Sequence, residues 1–218
     1  HMDYNAAGRV IARRYGAYWS EVSSILQGMP LHLKASDQAG IQGTPIFDPV
    51  GTNESIKSAL GERGWATSLP IPGEFRFLGT DIDYGRSGVI IEVQFSNYPF
   101  LLNNVVRSEL FYKAQTPLTG DPTQLVIIVT KAHMFPASNS TLYFEQARRQ
   151  LDELARYGLF DVPIRLVGLF ERRRTTTAVV WTTYANPRYS RMVASRSQRR
   201  CHITSAAPES RCKLTVLP

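Results

Sequence analysis

Two carboxylates and an amide, Asp83, Glu92 and Gln94, have the residue types and spacing best suited to chemistry in this chain. They lie in residues 78–97 (LGTDIDYGRSGVIIEVQFSN), where a turn with two glycines precedes the β-branched run Val89–Val93. A β-branched run of this length is typical of a buried strand, and a glycine-containing turn allows the chain to reverse. The sequence therefore predicts a β-hairpin that carries all three polar side chains.

The predicted hairpin brings these polar side chains to one place. Side chains on a strand alternate between faces, so Glu92 and Gln94 point to the same side, while Asp83 lies where the first strand ends. Two carboxylates inside an apolar sheet would repel each other and lose hydration unless a cation lay between them. Carboxylate and main-chain oxygens are the ligands of hard divalent ions, Mg²⁺ above all. A surface hairpin with solvated carboxylates explains the spacing equally well.

The composition indicates one core and a polyanionic partner. With 43% apolar residues, 218 residues can bury one sizeable core, or a core with a small appended subdomain. The net charge is +7, and residues 172–218 hold ten Lys or Arg against a single acid, Glu209. Such a tail favours a polyanion, although a solvated basic surface is the alternative.

Cysteine content and hydropathy exclude several other classes. Cys201 and Cys212 could form one disulfide or none, and they are too few for a zinc site of four closely spaced ligands. No run approaches the length of a membrane span, and the start lacks a charged-then-apolar signal pattern. We therefore expect a cytoplasmic protein with no membrane partner.

Hydrophobic periodicity predicts a mixed fold. Apolar residues at three- and four-residue steps predict helices, and continuous apolar runs predict buried strands. Besides the hairpin, the predicted elements are helices near residues 10–26, 53–60, 99–113 and 141–157, and strands at 125–130, 164–170 and 177–183. This order favours an α/β or α+β fold with a mixed central β-sheet flanked by helices. From Ser195 onward the polar, basic composition predicts irregular chain or a weak strand pair.

The sequence around the hairpin resembles the BglII family of type II restriction endonucleases, within the PD-(D/E)xK nuclease superfamily. The motifs GTDID, EVQFSNYPFLLNN and VRSELF carry the resemblance, and further segments follow in the same order: MPLHLKASDQA, IFDPVGTN, HMFPASNS, FDVPIRLVGL and TTYANPRYSR. Together they cover residues 29–191. Gln94 departs from the Lys usual in the superfamily but matches this closer family, and Ser68 stands where the family has Asn.

The resemblance implies a restriction-endonuclease-like fold with a small β-rich C-terminal subdomain. We expect one catalytic domain over residues 1–218, with residues 172–218 a basic DNA-binding part. In the implied Mg²⁺-dependent reaction, Asp83 and the main-chain carbonyl of Val93 bind the metal, Glu92 orients or deprotonates the attacking water, and Gln94 positions that water. Because Gln can neither carry positive charge nor accept a proton, such a site relies strongly on its metal. No nucleotide cofactor is expected.

The resemblance also implies recognition of double-stranded DNA by a homodimer, because a palindromic target calls for a twofold protein. The implied target is AGATCT, cut after the first A to leave 5′-phosphate ends with four-base overhangs. Loop residues suited to base contacts, by their place in the matching segments, are Ser96, Asn97, Asn139, Ser140, Arg188, Tyr189, Ser190 and Arg191. Asn139 could instead cap a helix, and Tyr189 could be a packed aromatic.

Five other basic residues are better suited to phosphates than to bases, because a phosphate contact needs charge and little geometry. They are Arg107, Lys131, Arg172, Arg173 and Arg174. Two other functions compete with the implied one. The first is a nuclease of the same superfamily with a related target such as R/GATCY. The second is a sequence-specific DNA-binding protein that does not cut, for which a broken set at residues 83, 92 and 94 would be expected.

Overall fold

The computed structural model describes residues 1–138, 141–186, 191–204 and 210–217. Within these residues the chain forms eleven strands and five α-helices. The strands are β1 (Met2–Tyr4), β2 (Leu31–Ala35), β3 (Pro45–Phe47), β4 (Ala66–Pro70), β5 (Asp81–Arg86), β6 (Val89–Val93), β7 (Leu125–Lys131), β8 (Ile164–Leu169), β9 (Thr175–Tyr184), β10 (Val193–Thr204) and β11 (Lys213–Leu217). The helices are α1 (Ala7–Val10), α2 (Gly16–Gly28), α3 (Pro49–Glu62), α4 (Pro99–Lys113) and α5 (Phe144–Arg156), with a π-helical turn at Ile11–Tyr15 and a 3₁₀ helix at Gly73–Leu78.

The first sheet has six strands in the order β1-β8-β7-β6-β5-β4. The central strands β6, β7 and β8 are parallel, and the outer strands pair antiparallel. All seven residues of β7 are buried, as expected for a continuous apolar run that is covered on both faces. On one face, Ile90 and Ile128 pack in a core cluster with Leu101 of α4 and Leu151 of α5.

The second sheet has five strands in the order β11-β10-β9-β2-β3. Strands β2 and β9 are parallel, and the other neighbours are antiparallel. The β-rich C-terminal part is thus completed by β2 and β3 from the first quarter of the chain. A single core cluster contains Leu33 and Val179 of this sheet together with Ile91 and Ile127 of the first, so the two sheets share one hydrophobic core.

Several predicted elements are confirmed. The helix predicted at 99–113 coincides with α4, and the strands predicted at 125–130 and 164–170 correspond to β7 and β8. The third helix begins earlier than predicted, because the Asp48 side chain accepts a hydrogen bond from Val50 N and Pro49 takes the first helical position. Strands β1 to β4 were not predicted.

The C-terminal strand pair differs most from expectation. The prediction of irregular chain or a weak strand pair is wrong for β10, which has 12 residues and pairs with β9 along most of its length. Only Cys201 and Ile203 are buried in it, so β10 is held by main-chain pairing rather than by an apolar face. Cys201 and Cys212 are free thiols, both buried. Within the part of the chain that the structure describes, no helix has the length and apolar character needed to cross a membrane.

Candidate active site

The predicted hairpin is formed by β5 and β6, and its register brings the two acids together. Tyr84 lies opposite Ile91, so continuing the register by one step places Asp83 opposite Glu92. At this point the Val93 amide donates to Oδ2 of Asp83 at 2.7 Å. The Asp83 carboxylate thus occupies the place where the two strands separate, beside the side chain of Glu92.

Burial makes the charge of this acid pair costly. Glu92 is 2% exposed, and loss of hydration raises its pKa to about 8, with the negative charge of Asp83 acting in the same direction. Desolvation also raises the pKa of Asp83, against the opposing effect of the Val93 amide. Both carboxyls are therefore short of positive charge in their surroundings.

Arg107 of α4 supplies part of that positive charge. Its Nη2 donates to Oε1 of Glu92 at 2.6 Å, and its Nη1 donates to the main-chain oxygen of Asp81 at 3.3 Å. The arginine is 8% exposed. The prediction that Arg107 contacts phosphate at the surface is wrong, because α4 packs its guanidinium against the sheet and the guanidinium pairs with Glu92.

The donor set fits Mg²⁺. No group of three or more His, Cys, Asp and Glu side chains suited to a metal ion occurs among the described residues. Mg²⁺, however, is commonly bound by one or two carboxylates while it keeps several waters and substrate phosphate oxygens. Asp83 and Glu92 offer two such carboxylates, and their raised pKa values indicate negative charge that a divalent cation would neutralise. That the Val93 carbonyl is a further ligand stays a prediction.

Gln94 follows directly after β6 and turns toward the next loop. Its Nε2 donates to the main-chain oxygen of Ser96, and the oxygen of Asn97 lies 3.5 Å away. The amide thereby ties the end of β6 to the loop that carries Ser96 and Asn97. Its predicted role in positioning water stays a prediction.

Ser68 lies on β4, opposite the part of β5 that carries Asp83. It stands between Thr67 and Leu69, whose partners Tyr84 and Ile82 flank Asp83. Its φ of 53° is in the left-handed region, which Asn adopts several times more often than most residues. An Asn here, as the resemblance leads us to expect, would have a longer polar group and would adopt this backbone conformation more readily than Ser68 does.

Comparison with known proteins identifies the family. A family model described as restriction endonuclease BglII/BglIII matches residues 1–169. The chain is also 55% identical over 194 residues to the type II restriction enzyme BglII of Bacillus subtilis, an alignment that covers 89% of this chain and 86% of that protein. The chain belongs to the BglII family of restriction endonucleases.

Two solved BglII structures resemble this member of the family over nearly its whole length. A crystal structure of BglII complexed with a DNA 16-mer matches with a TM-score of 0.96 at 50% identity, covering 99% of this chain and 98% of that one. A crystal structure of free BglII matches with a TM-score of 0.77 at 46% identity, covering 99% and 97%. The predicted restriction-endonuclease-like fold is confirmed, and so is the enzyme class: the chain is a type II restriction endonuclease.

The structure exposes three of the residues predicted to contact bases. Ser96 and Asn97 are exposed shortly after β6, and Arg191 is exposed just before β10. The other candidates, Asn139, Ser140, Arg188, Tyr189 and Ser190, lie outside the described residues. The short sequence distance between Glu92 and Asn97 places one predicted reading loop beside the acids.

The residues predicted to contact phosphates fall into two groups. Arg172 and Arg174 are exposed, and Arg173 is half-buried with its Nη1 donating to the main-chain oxygen of Ser210 at 3.1 Å. Lys131 is 1% exposed, so the prediction that it meets a phosphate is wrong. The sequence carried a signal for this burial, because Lys131 directly continues the apolar run of β7. Arg107 likewise shares the buried side of α4 with Asn104 and Ser108.

Proposed function

We propose that this endonuclease hydrolyses double-stranded DNA in a Mg²⁺-dependent reaction at the palindrome AGATCT. It cuts after the first A and leaves 5′-phosphate ends with four-base overhangs. The observation that carries the proposal is the pair of half-buried Asp83 and buried Glu92 at the end of the β5–β6 hairpin, where both pKa values are raised. The resemblance of the reading segments to BglII supports the target sequence.

Each polar residue of the hairpin has a proposed role in phosphodiester hydrolysis. Asp83, with the main-chain oxygen of Val93, holds the metal, and Glu92 orients or deprotonates the attacking water. A bound divalent ion lowers the pKa of its water and neutralises charge that builds on the phosphorane. Arg107 fixes the Glu92 carboxylate through its 2.6 Å contact, so that the second carboxylate oxygen can face the reacting groups. Gln94 positions the water.

The proposed DNA contacts divide into base reading and phosphate binding. Ser96, Asn97 and Arg191 are exposed, and with residues 139–140 and 188–190 they form the proposed base-reading set. Arg172 and Arg174 are the proposed phosphate contacts. The DNA 16-mer bound in the crystal structure of BglII, at 50% identity, supports double-stranded DNA as the ligand of this chain.

We further propose that residues 1–218 act as one catalytic domain, in which residues 172–218 form the basic DNA-binding part. The shared core of the two sheets supports a single domain. Within the C-terminal part, β10 carries Arg196, Arg199 and Arg200, all exposed.

A homodimer completes the proposal, and an apolar stripe on α4 is its proposed interface. Tyr98, Leu102 and Val106 recur at four-residue steps and are 48%, 45% and 51% exposed. They lie on the side of α4 away from its buried residues. A contiguous apolar surface of this kind marks a contact site in soluble proteins. A second copy of the chain, meeting its own stripe, suits a palindromic target.

Sedimentation analysis tests the dimer. We expect the wild type to sediment as a dimer and Leu102→Glu combined with Val106→Glu to sediment as a folded monomer, because the interface would bury both new charges. Ile41→Glu is the matched control, since Ile41 is an exposed apolar residue on a distant loop. A wild type that stays monomeric, with or without cognate DNA, would contradict the proposal.

Run-off sequencing tests activity, target and cut position together. A defined DNA that contains AGATCT, GGATCC and the mixed RGATCY site, which reads AGATCC on one strand and GGATCT on the other, is incubated with the protein and Mg²⁺. We expect all ends to fall after the first A of AGATCT and none to form in EDTA. Cutting at every RGATCY site would show that the target is R/GATCY rather than AGATCT. Binding without any cutting would favour a sequence-specific DNA-binding protein that does not cut.

A further inference from the structure

A buried lysine lies outside the roles assigned so far. Lys131 ends β7, and its Nζ donates to the main-chain oxygen of Phe95 at 2.7 Å and of Leu142 at 3.5 Å. The same Nζ lies 5.3 Å from the ring centroid of Phe47, 5.7 Å from that of Phe95 and 5.2 Å from that of Tyr143. Carbonyl oxygens and aromatic faces therefore surround the amino group.

Burying this amino group is expensive for the fold. Nζ contacts no carboxylate among the described residues, and loss of hydration lowers the pKa of Lys131 to about 7. An unbranched apolar side chain of similar length would occupy the same space without that cost. The first sheet also does not need the ammonium for its pairing, because β7 keeps complete ladders with β6 and β8.

The two carbonyl groups belong to Phe95 and Leu142, which are close in the sequence to residues predicted to contact bases. Phe95 stands between the catalytic Gln94 and the exposed Ser96, and Leu142 closely follows residues 139–140. Gln94 donates to Ser96, so Phe95 lies within a loop whose ends are already tied together. Lys131 is thus a single group that contacts the main chain of both residues.

We propose that Lys131 is a positioning residue that sets sequence discrimination, by holding segments 94–97 and 141–142 in one fixed relation to each other and to the catalytic acids. This inference rests on the proposed function. The first segment carries two of the proposed base contacts, Ser96 and Asn97, and two more, Asn139 and Ser140, directly precede the second segment in the sequence. Without the ammonium, the two segments lose the one group that contacts both, and the reading of the site loosens.

The test compares the wild type with Lys131→Met, which keeps the length and removes the donor. Single-turnover cleavage is measured on a duplex with AGATCT and on one with a single base pair exchanged. Because a displacement of about 1 Å can lower a rate by roughly a hundredfold, we expect cognate cleavage to fall at least about tenfold. We expect the ratio of cognate to exchanged-site rates to fall by a similar factor, with thermal unfolding showing that the variant is at least as stable as the wild type at pH 7.

Thr130→Val is the matched control variant. Thr130 Oγ1 donates to the main-chain oxygen of Leu142 at 3.2 Å, so this variant removes one contact to segment 141–142 and leaves the link to Phe95 intact. We expect it to lower the rate ratio less than Lys131→Met does. The rate ratio does not depend on the fraction of active enzyme, so partial misfolding alone leaves it unchanged.

A folded Lys131→Met variant with the wild-type rate ratio would overturn the proposal. If that variant does not fold, Lys131→Gln carries the same test, because its amide can reach one carbonyl but not both, and an unchanged ratio would overturn the proposal in the same way. Wild-type cleavage at AGATCT in the same assay checks the proposed function separately. Should the wild type prefer another site, the ratio is measured at that site.

Discussion

The two sheets place charged residues in opposite environments. In the six-stranded sheet, β7 is buried at every residue, and Glu92, Arg107 and Lys131 lie in or against the sheet with almost no exposure. In the five-stranded sheet, residues 194–200 of β10 are exposed apart from half-buried Ser197, and they include three arginines. The first sheet therefore holds few charges in fixed positions, whereas the second presents many charges to solvent.

The two sheets are therefore suited to different functions. Catalysis and base reading need groups in fixed positions, and burial in a low dielectric strengthens each electrostatic contact. Binding to phosphates needs charge with little geometry, which exposed arginines supply and salt screens. Changes in the first sheet should therefore have large, specific effects, and changes near the second should have small, salt-dependent ones.

The largest effect is expected at the acids. We expect Asp83→Ala and Glu92→Ala each to lower single-turnover cleavage on the order of a thousandfold, because each removes transition-state stabilisation of several kcal/mol. DNA binding, followed by fluorescence anisotropy, should persist. Asp81→Asn is the control, since Asp81 is an exposed acid two residues away on β5. Near-normal cleavage by either alanine variant would remove the assignment of these acids.

A smaller effect is expected at the exposed arginines beside β9. Arg172→Ala and Arg174→Ala should weaken DNA binding uniformly across sequences and should each reduce the slope of log affinity against log salt by about 0.9. Titrations at several salt concentrations, on AGATCT and on an unrelated duplex, measure both quantities. A change in site preference with an unaltered slope would show that these side chains read bases and would break the contrast between the sheets.

The smallest effect concerns the pH dependence of stability. Burial lowers the pKa of Lys131 from the ordinary value of 10.5 to about 7. Between these values the unfolded chain binds more protons than the folded one, so this residue makes the free energy of unfolding rise with pH. Lys131→Met lacks this contribution, so any stability advantage of the variant should shrink between pH 7 and pH 10. The positive charge of Arg211 also lowers this pKa, and its effect on Lys131 is likewise absent from the variant.

Chemical denaturation at pH 6, 7, 8 and 9 measures this difference. The difference in free energy of unfolding between the variant and the wild type should be constant below pH 7. Above pH 7 it should narrow by up to about 1.4 kcal/mol per pH unit. A gap that is the same at all four values would show that the lysine keeps an ordinary pKa and is not desolvated.

The sequence predicts strands β5 to β8 of the first sheet, because burial leaves a pattern, but it does not predict the edge strands β1 and β4. The β-branched run of β6, the apolar run of β7 and the stripe of α4 each record which faces are covered. The placement of Asp83 and Glu92 on one hairpin follows from strand alternation, and the register agrees with it.

Strand β10 and the burial of Arg107 and Lys131 could not be predicted, because they depend on contacts between residues that are far apart in the sequence. Strand β10 is stabilised by pairing with β9, which needs no apolar pattern. The partner of Arg107 lies 15 residues away, and that of Lys131 lies 36 residues away. A charged side chain is assigned to the surface by default, so both residues were predicted to meet phosphates.

Metal binding tests most directly the central claim, that Asp83 holds a divalent cation beside Glu92. Titration calorimetry with Mn²⁺ is performed on the wild type, Asp83→Asn and Asp81→Asn, each bound to an AGATCT duplex with an uncleavable scissile linkage. We expect the wild type and Asp81→Asn to bind the ion alike and Asp83→Asn to lose that binding while still holding the DNA. Equal Mn²⁺ affinity in all three proteins would contradict the claim.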